Sequence, residues 1–228
     1  MKKVLLAVLC ATSTAGFADS KVFEGMAVDL SVGYQKTERD SASTATSIDG
    51  GVATKVSASS TSHDKSDAGV ILGVSYNFAL SSNYLLGVGF DYDFAEHKMG
   101  TPVFDNDPSD ATTDWELSDA MSLYIKPQFM ITDKSQFYAK LAYIRADVEM
   151  TDSTPDYVKS KSETIDGYSL GAGYANMITH NVSLFVEANY LNYGKEDVGA
   201  YYNGSPDYIS LPSDISGYNA KIGIAYKF

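Results

Sequence analysis

The stretch NAKIGIAYKF, residues 219–228, decides how this chain folds. With Tyr218 just before it, Ala220, Ile222, Ile224, Tyr226 and Phe228 form an apolar or aromatic row. Asn219, Lys221, Gly223, Ala225 and Lys227 between them are small or polar. A period of two is that of a β-strand with one face in an apolar medium. Chain ends of soluble domains are usually frayed and polar, so a strand carried to a terminal aromatic residue calls for a partner strand to close against.

Working back from that row, the same alternation recurs in seven further segments: 26–35, 69–79, 84–95, 117–131, 136–146, 166–177 and 182–193, with the last strand over 216–228. Each has roughly the 9 to 11 residues a tilted strand needs to cross the hydrocarbon of a bilayer. One face carries rows such as Met26, Val28, Leu30, Val32, Tyr34 and Leu86, Val88, Phe90, Tyr92, Phe94, without a single charge. The other carries Asp29, Asp91, Asp93 and Glu187 against Lys126, Lys140, Lys221 and Lys227, among glycines and small polar residues.

The connections set the topology. Long gaps follow the first, third, fifth and seventh segments (36–68, 96–116, 147–165, 194–215), and tight turns follow the second, fourth and sixth (SSN, 81–83; DKS, 133–135; THN, 179–181). All long loops therefore leave one end. An eight-stranded barrel is only just wide enough for its own side chains, so the large apolar rows cannot be inside. The expected fold is all-β: a closed, eight-stranded, antiparallel up-and-down transmembrane barrel, greasy outside and polar within, rather than a soluble ligand-carrying barrel. Closure hides the backbone groups that an open edge would leave unpaired in lipid. Tyr34, Tyr76, Tyr84, Tyr92, Tyr143, Tyr190, Tyr218 and Tyr226 fall toward strand ends, as an interfacial girdle requires. Two features fit less well. Pro127 lacks an N–H and predicts a lost ladder bond or a bulge, and alternation falters at Ile144 and Arg145, predicting a bulge or strand end there.

The N-terminus, MKKVLLAVLCATSTAGFA, has two lysines, an apolar run and small residues near Gly16 and Ala18, which reads as a secretory signal peptide over 1–18, leaving a barrel domain over 19–228. A lipoprotein reading of AVLC is weakened by Leu9. The only cysteine, Cys10, lies in that leader, so no disulfide is expected. Setting aside Lys2 and Lys3 leaves 15 basic against 29 acidic side chains, a net charge of −14. Nucleic acid is not an expected partner, because phosphate binding needs clustered Lys and Arg.

The whole mature chain resembles the small bacterial outer-membrane β-barrel proteins, of the OmpA-barrel, OmpX and porin-family surface-antigen type. The resemblance is carried most specifically by DGYSLGAGYANMITHNVSLFVEANYLNYG, 166–194, a Gly-rich strand, tight turn and strand bearing Glu187, and by the terminal row. It implies an outer-membrane location in a Gram-negative bacterium and contact with lipid and lipopolysaccharide. It also makes Tyr226 and Phe228 a signal for the barrel assembly machinery. Family function is diverse.

Candidate sites follow from the faces. Asp29, Asp91, Asp93, Lys126, Lys140, Glu187 and Lys221 are expected to form an ion-pair network in the lumen, either structural or a gate. Asp105, Asp107, Ser109 and Glu116 match four positions of a calcium-loop template, but Asp110 replaces its glycine and flanking helices are missing, so a plain acidic loop is the simpler reading. Loop 1 (41–66) is low-complexity and expected to be mobile. Loop 4 offers Tyr201, Tyr202 and Tyr208, either to cap the barrel mouth or to contact a partner. His63, His97 and His180 are scattered over loops and a turn, so no catalytic triad is nominated and no cofactor or metal is expected. The functional expectation is a non-enzymatic, monomeric surface protein for envelope integrity or for contact with a host or envelope partner, with at most a narrow pore. A small diffusion porin and an adhesin or surface antigen acting through loops 1 and 4 are the alternatives.

Overall fold

The structure, a computed structural model, describes residues 19–41, 44–49, 51–57, 62–100, 113–152, 158–159, 162–202 and 208–228. Eight long strands make the barrel: β1 Gly25–Ser41, β2 Ser62–Ala79, β3 Tyr84–Asp93, β4 Thr113–Thr132, β5 Ser135–Asp152, β6 Ser162–Met177, β7 Val182–Tyr202 and β8 Tyr208–Lys227. Each pairs antiparallel with its neighbours in the chain. β8 pairs with β7 from Val182↔Tyr226 to Tyr201↔Tyr208 and with β1 from Ala27↔Lys227 to Ser41↔Ser213, so the sheet closes on itself. The terminal row completes the seam: the Phe228 N–H donates to the Met26 carbonyl (3.0 Å) and the Lys227 N–H to the Asn181 carbonyl (2.7 Å).

The outer face is apolar as the alternation requires. Leu30, Val32, Leu72, Leu123, Leu141, Leu170, Val186 and Ile222 are all exposed on it. Aromatic pairs bound this belt. Tyr76 with Phe78, Tyr84 with Phe129, Phe137 with Tyr174 and Tyr226 with Phe228 lie toward the tight turns, and Tyr92 with Phe94 and Tyr190 with Tyr218 toward the long loops. Amphipathic rings gather at such an interface. Just past the loop-side ring, outward-facing Arg145 donates to both oxygens of Asp166 (2.7 and 3.1 Å). An exposed ion pair there ends the apolar span.

Several expectations are corrected. β5 keeps its alternation without a break, Ile144 and Ala146 inward and Arg145 outward, and runs on to Asp152. The bulge lies opposite, in β4 between Ser118 and Met121, where Asp119 adopts φ 50° and accepts the Tyr92 hydroxyl. Sequence periodicity of one strand cannot report an extra residue in its neighbour. At Pro127 the expected lost ladder bond is what occurs, without a bulge: it faces outward and pairs with Leu86 on β3, while the β5 ladder skips from Ile125↔Leu141 to Gln128↔Tyr138 in unchanged register. Nor are the long connections loops throughout. β5, β7 and β8 continue well past the aromatic ring, and within loop 1 the strands Thr44–Asp49 and Val52–Ser57 form a hairpin whose first strand pairs with β8 at Tyr208↔Ile48. Low apolar content does not prevent this, because a ladder of backbone hydrogen bonds and Gly51 at φ +85° in the turn supply the order. A short strand, His97–Gly100, pairs with β4, and Val158–Lys159 pairs with β7.

Inside, the polar lumen is only a middle layer. Toward the turns, Phe23, Leu85, Met130, Tyr138, Ala175, Met177 and Phe185 form one apolar cluster. Toward the loops, Leu117, Ile144, Val148, Ile165, Leu191, Tyr193 and Ile215 belong to another. Phe23 reaches its place because the chain before β1 folds across the turn end: a 3₁₀ turn, Ser20–Val22, in which the Ser20 N–H donates to the Ser82 carbonyl (2.9 Å) and its hydroxyl to that of Ser81 (2.6 Å). Asn77 Nδ2 then donates to the Phe23 carbonyl (3.0 Å).

Candidate functional site: the charged layer of the lumen

Between the two clusters, strands from opposite walls send four charges to the axis: Asp91 from β3, Lys140 from β5, Glu187 from β7 and Lys221 from β8. They form a closed ring of ion pairs. Lys140 Nζ lies 2.5 Å from Asp91 Oδ2 and 3.2 Å from Glu187 Oε1; Lys221 Nζ lies 2.9 and 3.0 Å from the same two oxygens. All four side chains are buried, and Asn189 Nδ2 adds a donor to Glu187 Oε1 at 3.1 Å. Alternating signs let each ammonium serve two carboxylates, which offsets the desolvation that a lone buried charge would suffer.

Tyrosine rings line the layer. Lys140 Nζ stands 4.1 Å from the centre of the Tyr124 ring, and Lys126 Nζ lies 5.8 Å from that ring and 5.1 Å from Tyr138. These contacts use the negative face of the aromatic quadrupole. The rings lie flat against the wall because glycines face them: a Cβ at Gly89 would meet Tyr124 and one at Gly173 would meet Tyr138. Asp29 sits over Gly73 in the same way.

The structure thus joins four of the seven sequence-nominated charges. Among the described residues Lys126 makes no ion pair within 4 Å, and Asp29 faces it across a cavity of about 50 Å³ below the ring that also touches Phe23 and Tyr138. With these two the layer holds three carboxylates and three ammoniums. A second cavity of about 70 Å³ lies above, lined by Gln35, Ser169, Asn189 and Tyr193. Asp91, Lys140 and Lys221 line both, so the ring is the partition between two chambers that each have room for water. Asp93 is not part of the ring. Its carboxylate accepts from His97 Nε2 at 3.0 Å, with His97 fully buried beside the loop-side cluster rather than in a loop. Strand alternation found Asp93 on the correct face but could not give its height. His97 was missed as an interior residue because its strand is only four residues long.

Tyr201 and Tyr202 end β7 and Tyr208 begins β8, in backbone register as a hairpin stem; their side chains lie outside the described residues. Residues 1–18 and Asp105, Asp107 and Ser109 also lie outside them, while Glu116 stands on β4 with Lys98 Nζ at 4.0 Å. Among the described residues no group of three His, Cys, Asp or Glu is arranged to hold a metal ion.

A closed antiparallel barrel with an apolar belt, two aromatic rings and a charged core defines an integral β-barrel of the outer-membrane class. The chain matches the outer membrane protein beta-barrel domain over residues 4–228 and belongs to that family, which places it in the outer membrane. Two solved structures, with TM-scores above 0.5, agree on the fold, and a third shows a similarity alone. OprG of Pseudomonas aeruginosa is 15% identical, with 90% of this chain and 96% of that one covered at a TM-score of 0.58. The outer membrane protease OmpT of Escherichia coli is 10% identical, with 96% and 100% covered at 0.51. Ail, the attachment invasion locus protein of Yersinia pestis, solved with the heparin analogue sucrose octasulfate, is 16% identical, with 90% and 99% covered at 0.48. No curated protein matches the chain.

Proposed function

We propose that this protein is a non-enzymatic outer-membrane surface protein whose membrane-spanning part is a closed anchor and whose working surface is the wall beyond the membrane. In this reading residues 1–18 are a cleaved leader, the tight turns face the periplasm and the long-loop end faces outward. Tyr226 and Phe228 address the chain to the barrel assembly machinery, and the protein acts as a monomer in envelope integrity or in contact with an envelope or host partner. The observation that carries it is the double seal of the lumen: an apolar cluster above and another below a ring of neutralised charge. A conducting pore would need all three layers to part. From Tyr190, at the loop-side ring, the strand runs on to Tyr202, roughly 40 Å at about 3.3 Å per residue, and this length beyond the apolar belt supports a display role.

Planar-bilayer recording of the refolded protein tests the seal, with flat traces expected. Steady single-channel steps would replace this reading with the small-porin alternative, which the paired cavities favour. The contact role is tested by deleting residues 42–61 and 203–207: loss of adhesion to host or envelope surfaces, with the barrel still folded, is the expected result, and unchanged adhesion would leave only the envelope role.

A further inference from the structure

We infer that the free edge of the hairpin in loop 1 docks a second copy of this protein, strand to strand. That copy is the partner for the contact role proposed above, and the pairing rests on the reading that the long-loop end faces outward. Beyond the barrel mouth the wall continues as an open sheet. Thr44–Asp49 pairs with β8 and Val52–Ser57 with Thr44–Asp49, and among the described residues no strand pairs with the other side of Val52–Ser57. Val52, Ala53, Thr54 and Lys55 are all exposed, Val52 at 66%. The unpaired N–H and C=O groups along such an edge are a template for another strand.

The register of the hairpin fixes which groups are free. A two-residue turn makes its flanking pair, Asp49↔Val52, a hydrogen-bonded one, and the pairs alternate from there. Val52, Thr54 and Val56 therefore turn their backbone groups toward Thr44–Asp49, while Ala53, Lys55 and Ser57 turn theirs to the free side. Along that edge the sequence VATKVS is complementary to itself. In an antiparallel pair centred on Thr54, the two threonines stand opposite each other in a non-hydrogen-bonded rung. Val52 of each copy then lies opposite residue 56 of the other, and Ala53 of each exchanges two hydrogen bonds with residue 55 of the other. β-Branched residues make favourable cross-strand pairs, and like charges directly opposite do not. Lys55 thus selects the register, because centring the pair one residue further on would set the two ammoniums side by side. Direction follows as well. Two antiparallel steps separate Val52–Ser57 from β8, so it runs the same way as β8. A copy paired antiparallel to it presents its barrel mouth to mouth, from a facing membrane. Six residues make a small contact, and many barrels in two apposed membranes make it multivalent.

The test uses the full chain with Cys10→Ser, so that an introduced thiol is the only one, refolded into two vesicle populations with differently dyed lipid. Mixing should tether the populations. Thr54→Cys should give a disulfide-linked dimer under copper–phenanthroline that spans the two populations, read by an affinity tag on the protein of one of them. Lys55→Cys should not, because its two copies stand beyond the roughly 7 Å between Cα atoms that a disulfide can bridge. Ala53→Pro removes an N–H that only the free edge presents. Tethering and the residue-54 cross-link should both vanish in it, while unboiled gel mobility still reports a folded barrel. Tethering that survives Ala53→Pro, or equal cross-linking at 54 and 55, overturns the proposal. So does adhesion to host cells that Ala53→Pro abolishes without any tethering between barrels, since the edge would then take another protein's strand. Labelling of Thr54→Cys on intact cells by a membrane-impermeant maleimide reports the orientation independently. An unlabelled thiol would overturn the outward reading and the pairing with it, whereas a labelled thiol that never cross-links overturns the pairing alone.

Discussion

At the scale of the residue, the ring makes a sharp statement about Glu187. Removing it leaves Lys140 and Lys221 to share Asp91 alone in a layer that then carries an excess positive charge. Glu187→Ala should lower folding stability by about 3 to 5 kcal/mol, the cost of stranding a buried partner, read as a shift of the urea midpoint for folding in micelles. Lys126→Met should cost less than half as much, because Lys126 touches tyrosine rings and makes no direct ion pair among the described residues. If the two variants proved equally damaging, the four-membered ring would not be the energetic unit. Gly173→Ala tests the wall behind the layer. Its Cβ would press on the Tyr138 ring, and overpacking of that kind costs about 1 to 3 kcal/mol. The sequence supplied the parity of every one of these residues, since alternation alone decides which side of a strand faces in. It could not supply azimuth. Asp29, Asp91 and Asp93 all read as lumenal acids, and only the closed register of eight strands brings Asp91 to the axis and sends Asp93 to His97.

At the scale of the element, the segment before β1 does more than connect. Ser20 and Asn77 fasten it by three hydrogen bonds beneath the barrel, and Phe23, only 5% exposed, completes the turn-side cluster. Phe23→Ala should therefore cost about 3 to 5 kcal/mol, the usual loss for truncating a buried phenylalanine, measured by the same urea titration. Bilayer recordings of this variant should remain flat, since the ring and the loop-side cluster still block the lumen. The signal for this element was weak in the sequence, because one aromatic in a short polar stretch carries no period. β5 shows the opposite case. Its inward row, Lys140, Ala142, Ile144, Ala146 and Val148, passes from charged to aliphatic as the strand leaves the charged layer for the loop-side cluster. A change of partner was thus open to being taken for a break in the strand.

At the scale of the whole molecule, the fold is an inversion of the usual arrangement, with side chains of hydrocarbon outside and a filled polar layer at the centre of the lumen. The sequence carried that inversion in full, because an eight-stranded wall cannot take its larger row inward. It left the capping of the lumen unread, because the inward aliphatic residues gather near strand ends, where alternation is least regular. The inversion has a depth profile that a single strand can report. On β8, Ile222 is 59% exposed and lies halfway between Tyr218 and Tyr226, at the middle of the apolar span, whereas Ser216 faces outward beyond the loop-side ring. Ile222→Lys should cost about 2 to 4 kcal/mol for folding into liposomes, and Ser216→Lys about 1 kcal/mol or less, since a lysine facing lipid is penalised by depth. Both variants keep the ladder with β1 and β7 intact, so the contrast isolates the surrounding medium from the backbone. Equal costs at the two positions would mean that the exposed face of β8 does not lie in lipid, and the belt, the aromatic rings and the sealed lumen would then need another explanation together.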